Sequence, residues 1–355
     1  MDMIAQAVCD LLKKGETVVL ATIVSNAGST PRTSGSRMII TANGRGIGTI
    51  GGGLLEAEAM ARAVELIRDG QSAIISFDLS HRIVDSMDMI CGGQAEVLLD
   101  CLQPTATTIA AFDRWRRLLV KRQPGWLLTL ITGPEGRIER TDHCLLTADG
   151  QRIGDACLSD EMRDDILASA DGISDLRTRL YGDRLMVVEP AITAYRVHLF
   201  GAGHVALSTC AMAATVGFEV VVADDRKAYA NRQRFPDALA LRVLEHFEQA
   251  FSGISVGRQD YIVIVTRGHL HDKIVLSQAL QSDAGYIGMI GSRSKRDAIY
   301  TALLGDGFSQ ADIGRVHSPI GLSIGAETPE EIAVSIVAEM IRHRAEQRRD
   351  TKKGR

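Results

Sequence analysis

The sequence is poor in cysteine, with six in 355 residues, at positions 9, 91, 101, 144, 157 and 210. None of them forms a C-x-x-C pair, and their spacing matches no zinc-site pattern. The first ten residues carry acids and lack the basic start and apolar core of a secretory leader. These absences exclude a disulfide-stapled secreted domain and predict a reduced, cytoplasmic protein.

The sequence also lacks an excess of charge and an unbroken apolar run of membrane length. With 40 basic and 44 acidic residues the net charge is −4, which disfavours nucleic acid or an anionic membrane as the main partner. The most apolar stretch, residues 197–223, is broken by Gly201, Gly203 and Gly217, and is typical of a strand, a helix and a strand. The one dense basic run is the tail, residues 346–355, which we expect to extend into solvent.

The chain is long enough for two domains, because 355 residues exceed the usual size of one hydrophobic core. Residues 1–103 mix helix and strand patterns and are predicted to form an α+β domain. Residues 104–190 show similar patterns but no readable motif, and we treat them as an α/β extension of that domain. A second boundary is predicted near Glu189 and Pro190, where strands and helices begin to alternate regularly.

Residues 191–345 alternate short apolar strands with helices, which is the pattern of a doubly wound parallel sheet. Strands are predicted at 197–200, 219–223, 261–266, 286–290 and near 316, with a weaker one near 241–244. Helices are predicted at 204–216, 271–281, 295–304 and 328–342. The last helix should begin with a capping box formed by Thr328 and Glu331, with Pro329 at its first position. The predicted fold class is α/β, a Rossmann-like carboxy-terminal domain following a mixed α+β domain.

A glycine loop opens the Rossmann-like domain. Gly201, Gly203 and Ala206 form a G-x-G-x-x-A pattern between a predicted strand and a predicted helix. The first glycine permits a tight turn, the second lets backbone amides approach a phosphate, and the alanine lets helix and strand pack closely. Asp224 ends the next strand, where an acid can accept a hydrogen bond from a ribose hydroxyl. A domain that binds a dinucleotide and one that has lost this chemistry are equally compatible with the loop.

Polar residues also follow the predicted strands, and the carboxyl ends of parallel strands meet at one edge of a sheet. Ser292, Arg293 and Lys295 offer hydroxyl, forked and point-charge donors ahead of a helix, which suits a phosphate. Histidines at the same predicted edge leave a metal site open, although no spacing demands one. They are His204, His269, His271 and His317.

The amino-terminal third contains a second set of candidates. Gly51, Gly52 and Gly53 precede a helix, so free amides there could receive an anion, and a tight strand-to-helix turn explains the glycines equally well. Arg32 lies in a stiff polar loop, residues 28–32, and could clamp an anion. A solvated turn is the competing interpretation of that loop.

Cys91 is the thiol with the most suggestive surroundings. It is followed by Gly92 and Gly93, which permit close backbone approach by a ligand. A free cysteine is more commonly a small buried hydrophobe. From its spacing alone, a structural role for Cys91 is the more common outcome.

Together these segments resemble the xanthine dehydrogenase accessory protein family (XdhC/CoxI). The motifs lie, in the family's order, at residues 28–32, 48–53 with Glu56, 91–93, 200–205, 288–295, 317–322 and 324–333. The resemblance implies a non-catalytic role in the maturation of molybdenum hydroxylases. Such proteins bind the molybdenum cofactor, support exchange of an oxo for a sulfido ligand, and deliver the product to the apo-enzyme. Residues 104–190 contribute little to the match.

The resemblance assigns the cargo and the partners. The molybdenum cofactor is the expected cargo, and NAD(P) is not expected. The partners implied are a xanthine dehydrogenase-like enzyme and a cysteine desulfurase, and a homodimer is left open. Cys91 could contact molybdenum or relay sulfur as a thiolate. The expected cofactor-binding residues are Arg32, Gly51, Gly52, Gly53, Cys91, Gly92, Gly201, Gly203, His204, Asp224, His269, Ser292, Arg293, Lys295 and His317.

Two other functions remain open at this point. An NAD(P)-dependent oxidoreductase would use the Gly201 loop, with His269 or His271 as its acid/base group. A zinc-dependent hydrolase would use the histidine cluster and would carry stoichiometric zinc.

Overall fold

The chain divides into two compact units, Met1–Thr193 (unit 1) and Ala194–Arg355 (unit 2). The computed structural model describes residues 3–28, 32, 34–78, 93–134, 137–168, 176–191 and 195–353, the last six as backbone only. No helix in this described part is long and apolar enough to cross a membrane.

Unit 1 begins with an antiparallel five-stranded sheet in the order β3-β2-β1-β5-β4. Its elements are α1 (Met3–Lys13), β1 (Val18–Ala27), β2 (Arg37–Thr41), β3 (Gly46–Gly48), α2 (Gly53–Asp69), β4 (Ala73–Asp78), β5 (Gln94–Leu102) and α3 (Ala106–Lys121). Side chains alternate along β1, so Val18 and Leu20 join a core with α1 and α3, whereas Val19 and Ala21 join a core with α2. The central strand is therefore buried on both faces.

A second antiparallel sheet of unit 1 follows, in the order β8-β7-β6-β10-β9. Its elements are β6 (Gly125–Thr132), β7 (Arg140–Thr147), β8 (Arg152–Gly154), α4 (Asp160–Ala168), β9 (Arg177–Tyr181) and β10 (Arg184–Pro190). Leu127 and Leu145 from this sheet join the core that α1 and α3 form with the first sheet. Met162 and Ile166 of α4 pack into a separate cluster with β6, β7 and β10. Unit 1 is thus the mixed α+β structure that the sequence predicts.

Unit 2 is a parallel six-stranded sheet in the order β13-β12-β11-β14-β15-β16. Its strands are β11 (Arg196–Phe200), β12 (Glu219–Asp224), β13 (Ala240–Val243), β14 (Asp260–Ile264), β15 (Tyr286–Met289) and β16 (Val316–His317). Its helices are α5 (His204–Thr215), α6 (His269–Leu280), α7 (Arg293–Gly305), α8 (Gln310–Ile313) and α9 (Pro329–Lys353). This is the strand order of a Rossmann fold, so the predicted fold class is confirmed.

The helices of unit 2 begin and end at somewhat different residues from those predicted. α6 and α7 start two residues earlier, at His269 and Arg293, so both residues lie in the first turn of a helix. The capping box of α9 is present, because the Thr328 hydroxyl accepts from the Glu331 amide and the Glu331 carboxylate accepts from the Thr328 amide. α9 continues as helical backbone to Lys353, so it includes most of the basic run expected to leave the domain.

Candidate functional site

The candidate site is the carboxyl edge of the unit 2 sheet. The strand order reverses direction between β11 and β14, so their helices α5 and α6 start next to each other at this edge. Open α/β sheets bind ligands in the crevice at such a switch point. Both helices have a glycine as N-cap, Gly203 for α5 and Gly268 for α6, and neither is capped by a side-chain hydrogen bond.

The glycine loop after β11 has the geometry that its sequence predicts. Gly201 has φ = +109°, and a Cβ atom there would lie 2.4 Å from the Val265 carbonyl oxygen, so only glycine fits. A Cβ atom on Gly203 would meet nothing within 4 Å, so the loop is open at that point. The first amides of α5 therefore have room to receive an anion.

Asp224 supports this loop from beneath. Its carboxylate is buried and accepts the Ala202 amide at 2.8 Å. Arg226 adds its backbone amide and two guanidinium nitrogens at 2.8–2.9 Å. Burial raises the pKa of Asp224, but these donors outweigh burial and leave the pKa below its ordinary value. The carboxylate predicted to accept a ribose hydroxyl is therefore already fully bonded within the chain.

An ion pair lies at this same edge of the sheet. Arg267 follows β14 and Asp225 follows β12, the two strands that flank β11. The Arg267 guanidinium lies 2.5 Å from the Asp225 carboxylate. The pair therefore joins the loops on both sides of the glycine loop.

The predicted phosphate donors after β15 have separate roles. Ser292 is the N-cap of α7, and its hydroxyl accepts the Lys295 amide at 3.2 Å. The Lys295 ammonium pairs with Asp272, whose side chain is completely buried. That carboxylate also accepts the Thr266 hydroxyl. Ser292 and Lys295 thus stabilise the edge, whereas Arg293 remains exposed.

The histidines do not form one cluster. His204 and His269 are exposed first residues of α5 and α6. His317 lies instead on β16, where its ring stacks on Tyr286 at 4.6 Å and its Nδ1 is 3.7 Å from the Glu339 carboxylate of α9. Within the described ranges, no group of three or more His, Cys, Asp or Glu side chains could hold a metal ion.

Glu339 is the centre of that second polar group. Its buried carboxylate accepts the Tyr286 hydroxyl at 2.7 Å and the Gly321 amide at 2.8 Å. Burial raises its pKa, but the contacts with His317, Gly321 and Tyr286 outweigh this and lower the pKa to about 2. His317 is therefore part of the packing between α9 and the sheet.

The glycines before α2 in unit 1 do not offer free amides. The Oε1 atom of Glu56 accepts the amides of Ile50, Gly51 and Gly52 at 2.8–3.1 Å, and the Thr49 hydroxyl as well. An anion is thus bound at this helix start, as predicted for such a turn, but it comes from the chain itself. The expectation that the amides are available to a ligand is wrong for this conformation.

Of the other candidate residues of unit 1, the structure describes only some. Arg32 is exposed. Cys91 and Gly92 lie outside the described residues. Gly53 is the first residue of α2 and is exposed.

Sequence analysis missed a buried polar pair that joins the segment without motifs, residues 104–190, to β5 of the preceding segment. His143 of β7 binds Asp100 of β5 through its Nε2 atom at 2.7 Å, and both side chains are about 95% buried. Burial lowers the pKa of His143, but Asp100 outweighs it and leaves the pKa raised. The two residues lie 43 positions apart on different sheets, so no local spacing in the sequence predicts their contact.

Comparison with known proteins matches both units. Residues 197–340 match the XdhC Rossmann domain, and residues 11–78 match the XdhC and CoxI family. A protein of Bacillus subtilis (strain 168), named as a probable xanthine dehydrogenase subunit, is 30% identical over 336 residues, which is 94% of this chain and 95% of that protein. The molybdenum cofactor insertion chaperone PaoD of Escherichia coli (strain K12) is 22% identical over 342 residues, 96% of this chain and 88% of its own.

A solved structure shares the fold. The crystal structure described as a xanthine dehydrogenase from Bacillus halodurans superimposes with a TM-score of 0.76 at 23% identity, and 96% of each chain is covered.

Proposed function

This chain belongs to the XdhC and CoxI family, and on that premise we propose that it is a molybdenum cofactor carrier. It binds the cofactor, supports its sulfuration and delivers it to a xanthine dehydrogenase-like molybdenum hydroxylase. The names of two relatives, one a cofactor insertion chaperone and the other part of a xanthine dehydrogenase, support the maturation role. The role is that of a carrier and not of a catalyst.

The open start of α5 is the observation that carries the proposal. The cofactor ends in a phosphate, and Gly203 leaves the first amides of α5 uncapped and accessible. Backbone amides at a helix start bind phosphate and gain from the helix dipole. Arg293 and His269, exposed at neighbouring helix starts, are the further donors of this edge.

We test this with the substitution Gly203→Asp. Aspartate is a favourable N-cap residue, so the variant should fold with unchanged or slightly higher stability. Its carboxylate would occupy the anion position and repel a phosphate. We expect at least a tenfold loss of cofactor retention, which corresponds to about 1.4 kcal/mol, measured from molybdenum and pterin content after gel filtration.

Gly203→Ser is the matched control, because serine caps the same helix without adding charge. It should retain much more cofactor than Gly203→Asp. Equal retention by wild type and Gly203→Asp would contradict binding at this helix start.

Cys91 is proposed as the sulfur ligand or sulfur relay. A thiolate suits a soft metal and can accept or pass on sulfur. We expect Cys91→Ala to fold and to lose cofactor retention or client activation. Cys157, an exposed free cysteine, gives the control Cys157→Ala. A Cys91→Ala protein that retains the cofactor and activates the client like wild type would remove this role.

The partners proposed are a xanthine dehydrogenase-like enzyme and a cysteine desulfurase. Delivery requires contact with the client, and sulfuration requires a persulfide donor. A homodimer is also compatible with this role. Co-purification of the chain with each candidate partner, with and without loaded cofactor, tests these contacts.

A further inference from the structure

Unit 2 has an exposed apolar face on α5 and α9, two helices that pack side by side on one side of its sheet. Near their starts, the Ser208 hydroxyl lies 3.3 Å from the Glu330 carboxylate. Further along, the Arg344 guanidinium donates to the Val216 carbonyl at 3.5 Å. Because the two contacts follow the same order along both helices, α5 and α9 run in the same direction. Their outer sides are therefore neighbouring parts of one surface.

The composition of α5 is that of a covered helix. Its twelve residues include no Asp, Glu, Lys or Arg. Cys210 and Ala213 lie in the core, whereas Ala211 and Thr215 are exposed. A surface helix of a globular protein normally has charged residues on its outer side, and a helix without them is normally buried. The outer side of α5 is thus suited to contact with another protein surface.

α9 extends this face with a stripe of four apolar residues. Val334 and Ile341 are 48% and 38% exposed, Ala345 is exposed and Ala338 is half-buried. Their spacing of four, three and four residues is that of the contact stripe in a coiled coil. Contiguous exposed apolar residues mark sites of protein–protein contact.

Charged residues continue the stripe at the same spacing in the sequence. Two acids, Glu327 and Glu331, precede it, and two bases, Arg348 and Lys352, follow it. The first half of α9 is acidic and the second half is basic, since residues 329–341 contain three acids and no Lys or Arg. The line of residues therefore runs from acid through apolar to base.

This line is complementary to a second copy of itself in the antiparallel direction. With a two-fold axis between Ala338 and Ile341, Ala338 faces the partner's Ile341, and Val334 faces the partner's Ala345. Each large side chain thus meets a small one. The acidic end of each helix lies opposite the basic end of the other.

We propose that the chain forms a two-fold symmetric dimer through α5 and α9, with the two α9 helices packed antiparallel. A symmetric dimer uses the same surface on both copies, which requires a self-complementary surface. A different partner protein need not match this alternation of size and charge. A second copy is therefore the occupant that the face favours.

The size of the face is adequate for a stable dimer. The 25 residues of α9 span about 37 Å. With α5 beside it at the usual distance of about 8–10 Å, the face approaches the roughly 800 Å² that each partner buries in a standard interface.

The experiment measures the oligomeric state of the full chain by sedimentation over a range of concentrations. It is done without cofactor, so its result does not depend on the carrier function. We expect a dimer that dissociates in the micromolar range or below. Ile341→Asp places a carboxylate at the centre of the face and should weaken dimerisation at least tenfold.

Leu304→Asp on α7 is the matched control, because Leu304 is 37% exposed and its helix packs on the opposite side of the sheet. It should dimerise like wild type, and thermal unfolding checks that both variants are folded. A chain that stays monomeric at every concentration overturns the proposal and leaves the face to a different protein. A dimer that Ile341→Asp leaves intact overturns it as well, because that dimer uses another surface.

A charge swap tests the antiparallel direction without changing an apolar residue or the capping box. In the proposed pairing, Glu327 lies opposite the partner's Lys352. Glu327→Lys and Lys352→Glu should each dimerise severalfold more weakly than wild type at low ionic strength, because like charges then meet. An equimolar mixture of the two variants restores opposite charges at both ends and should form a heterodimer of nearly wild-type affinity. A mixture that dimerises no better than either variant alone contradicts this pairing.

Discussion

At the scale of single residues, Glu56 shows how a chain can supply its own ligand to an anion site. Four donors converge on one carboxylate oxygen at the start of α2. Burial raises the pKa of this carboxyl, but the Thr49 hydroxyl and the three amides outweigh burial and lower the pKa. The glycines predict the turn correctly. They do not show that the anion bound there is the carboxylate of Glu56, a side chain one turn into the helix.

Removing this carboxylate should therefore destabilise unit 1. Glu56→Ala leaves the amides of Ile50 and Gly52 without an acceptor, while the Gly51 amide keeps the Thr49 hydroxyl oxygen. We expect a loss of about 1–2 kcal/mol, the upper range for a lost helix cap. The control is Glu65→Ala on the same helix, whose exposed pair with Arg62 contributes little. Urea unfolding measures both. A Glu56→Ala protein as stable as Glu65→Ala would show that the four contacts contribute nothing.

At the scale of elements, α9 is held to the sheet by charge as well as by apolar packing. Ile336 and Met340 of this helix are fully buried in the core of unit 2. Glu339, on the same helix, accepts from the sheet residue Tyr286 and from the Gly321 amide. The periodic pattern predicts the helix and its cap, but not this carboxylate.

The depressed pKa of Glu339 makes the attachment of α9 sensitive to acid. The carboxyl has a pKa of about 2 in the folded protein against an ordinary value of 4.5. Its contribution is fully present above pH about 4.5 and is lost as the pH falls towards 2. We expect Glu339→Gln to lower the unfolding free energy by about 3 kcal/mol at pH 7, and the difference from wild type to shrink towards pH 2.

The measurement is urea unfolding at several pH values, followed by a signal from unit 2. Glu346→Gln, an exposed position on the same helix, is the control and should follow wild type throughout. A constant difference between Glu339→Gln and wild type from pH 7 to pH 2 would contradict the assignment.

At the scale of the whole molecule, the Rossmann fold of unit 2 does not by itself make a dehydrogenase. The glycine loop and strand order are those of a dinucleotide-binding domain. The acid that would hold the ribose, Asp224, is buried and bonded to Ala202 and Arg226. Using it for a ligand would cost these buried hydrogen bonds.

We therefore expect neither NAD⁺ nor NADH to bind tightly. A ligand that binds only the folded state raises the melting temperature, and the rise grows with the logarithm of the ligand concentration once this exceeds Kd. Millimolar NAD⁺, NADH, NADP⁺ or NADPH should leave the melting temperature unchanged. Loading the protein with the molybdenum cofactor should raise it. A rise that increases with the concentration of any of the four dinucleotides would support the oxidoreductase instead.

The sequence by itself determined the fold class of both units, the glycine turn at Gly201, the capping box of α9 and the family. These features depend on local periodicity, on φ angles that only glycine adopts, and on ordered motifs. Each of these can be recognised from residues that are close together in the sequence. Only the tertiary structure decided which polar residues are free to meet a ligand. Lys295 and His317 look like ligand-binding residues in the sequence, yet they pair with Asp272 and Glu339, each more than 20 residues away. Which charges are buried and paired depends on which elements the fold brings together. Residues far apart in the chain then become partners, and no local sequence pattern predicts such a pair.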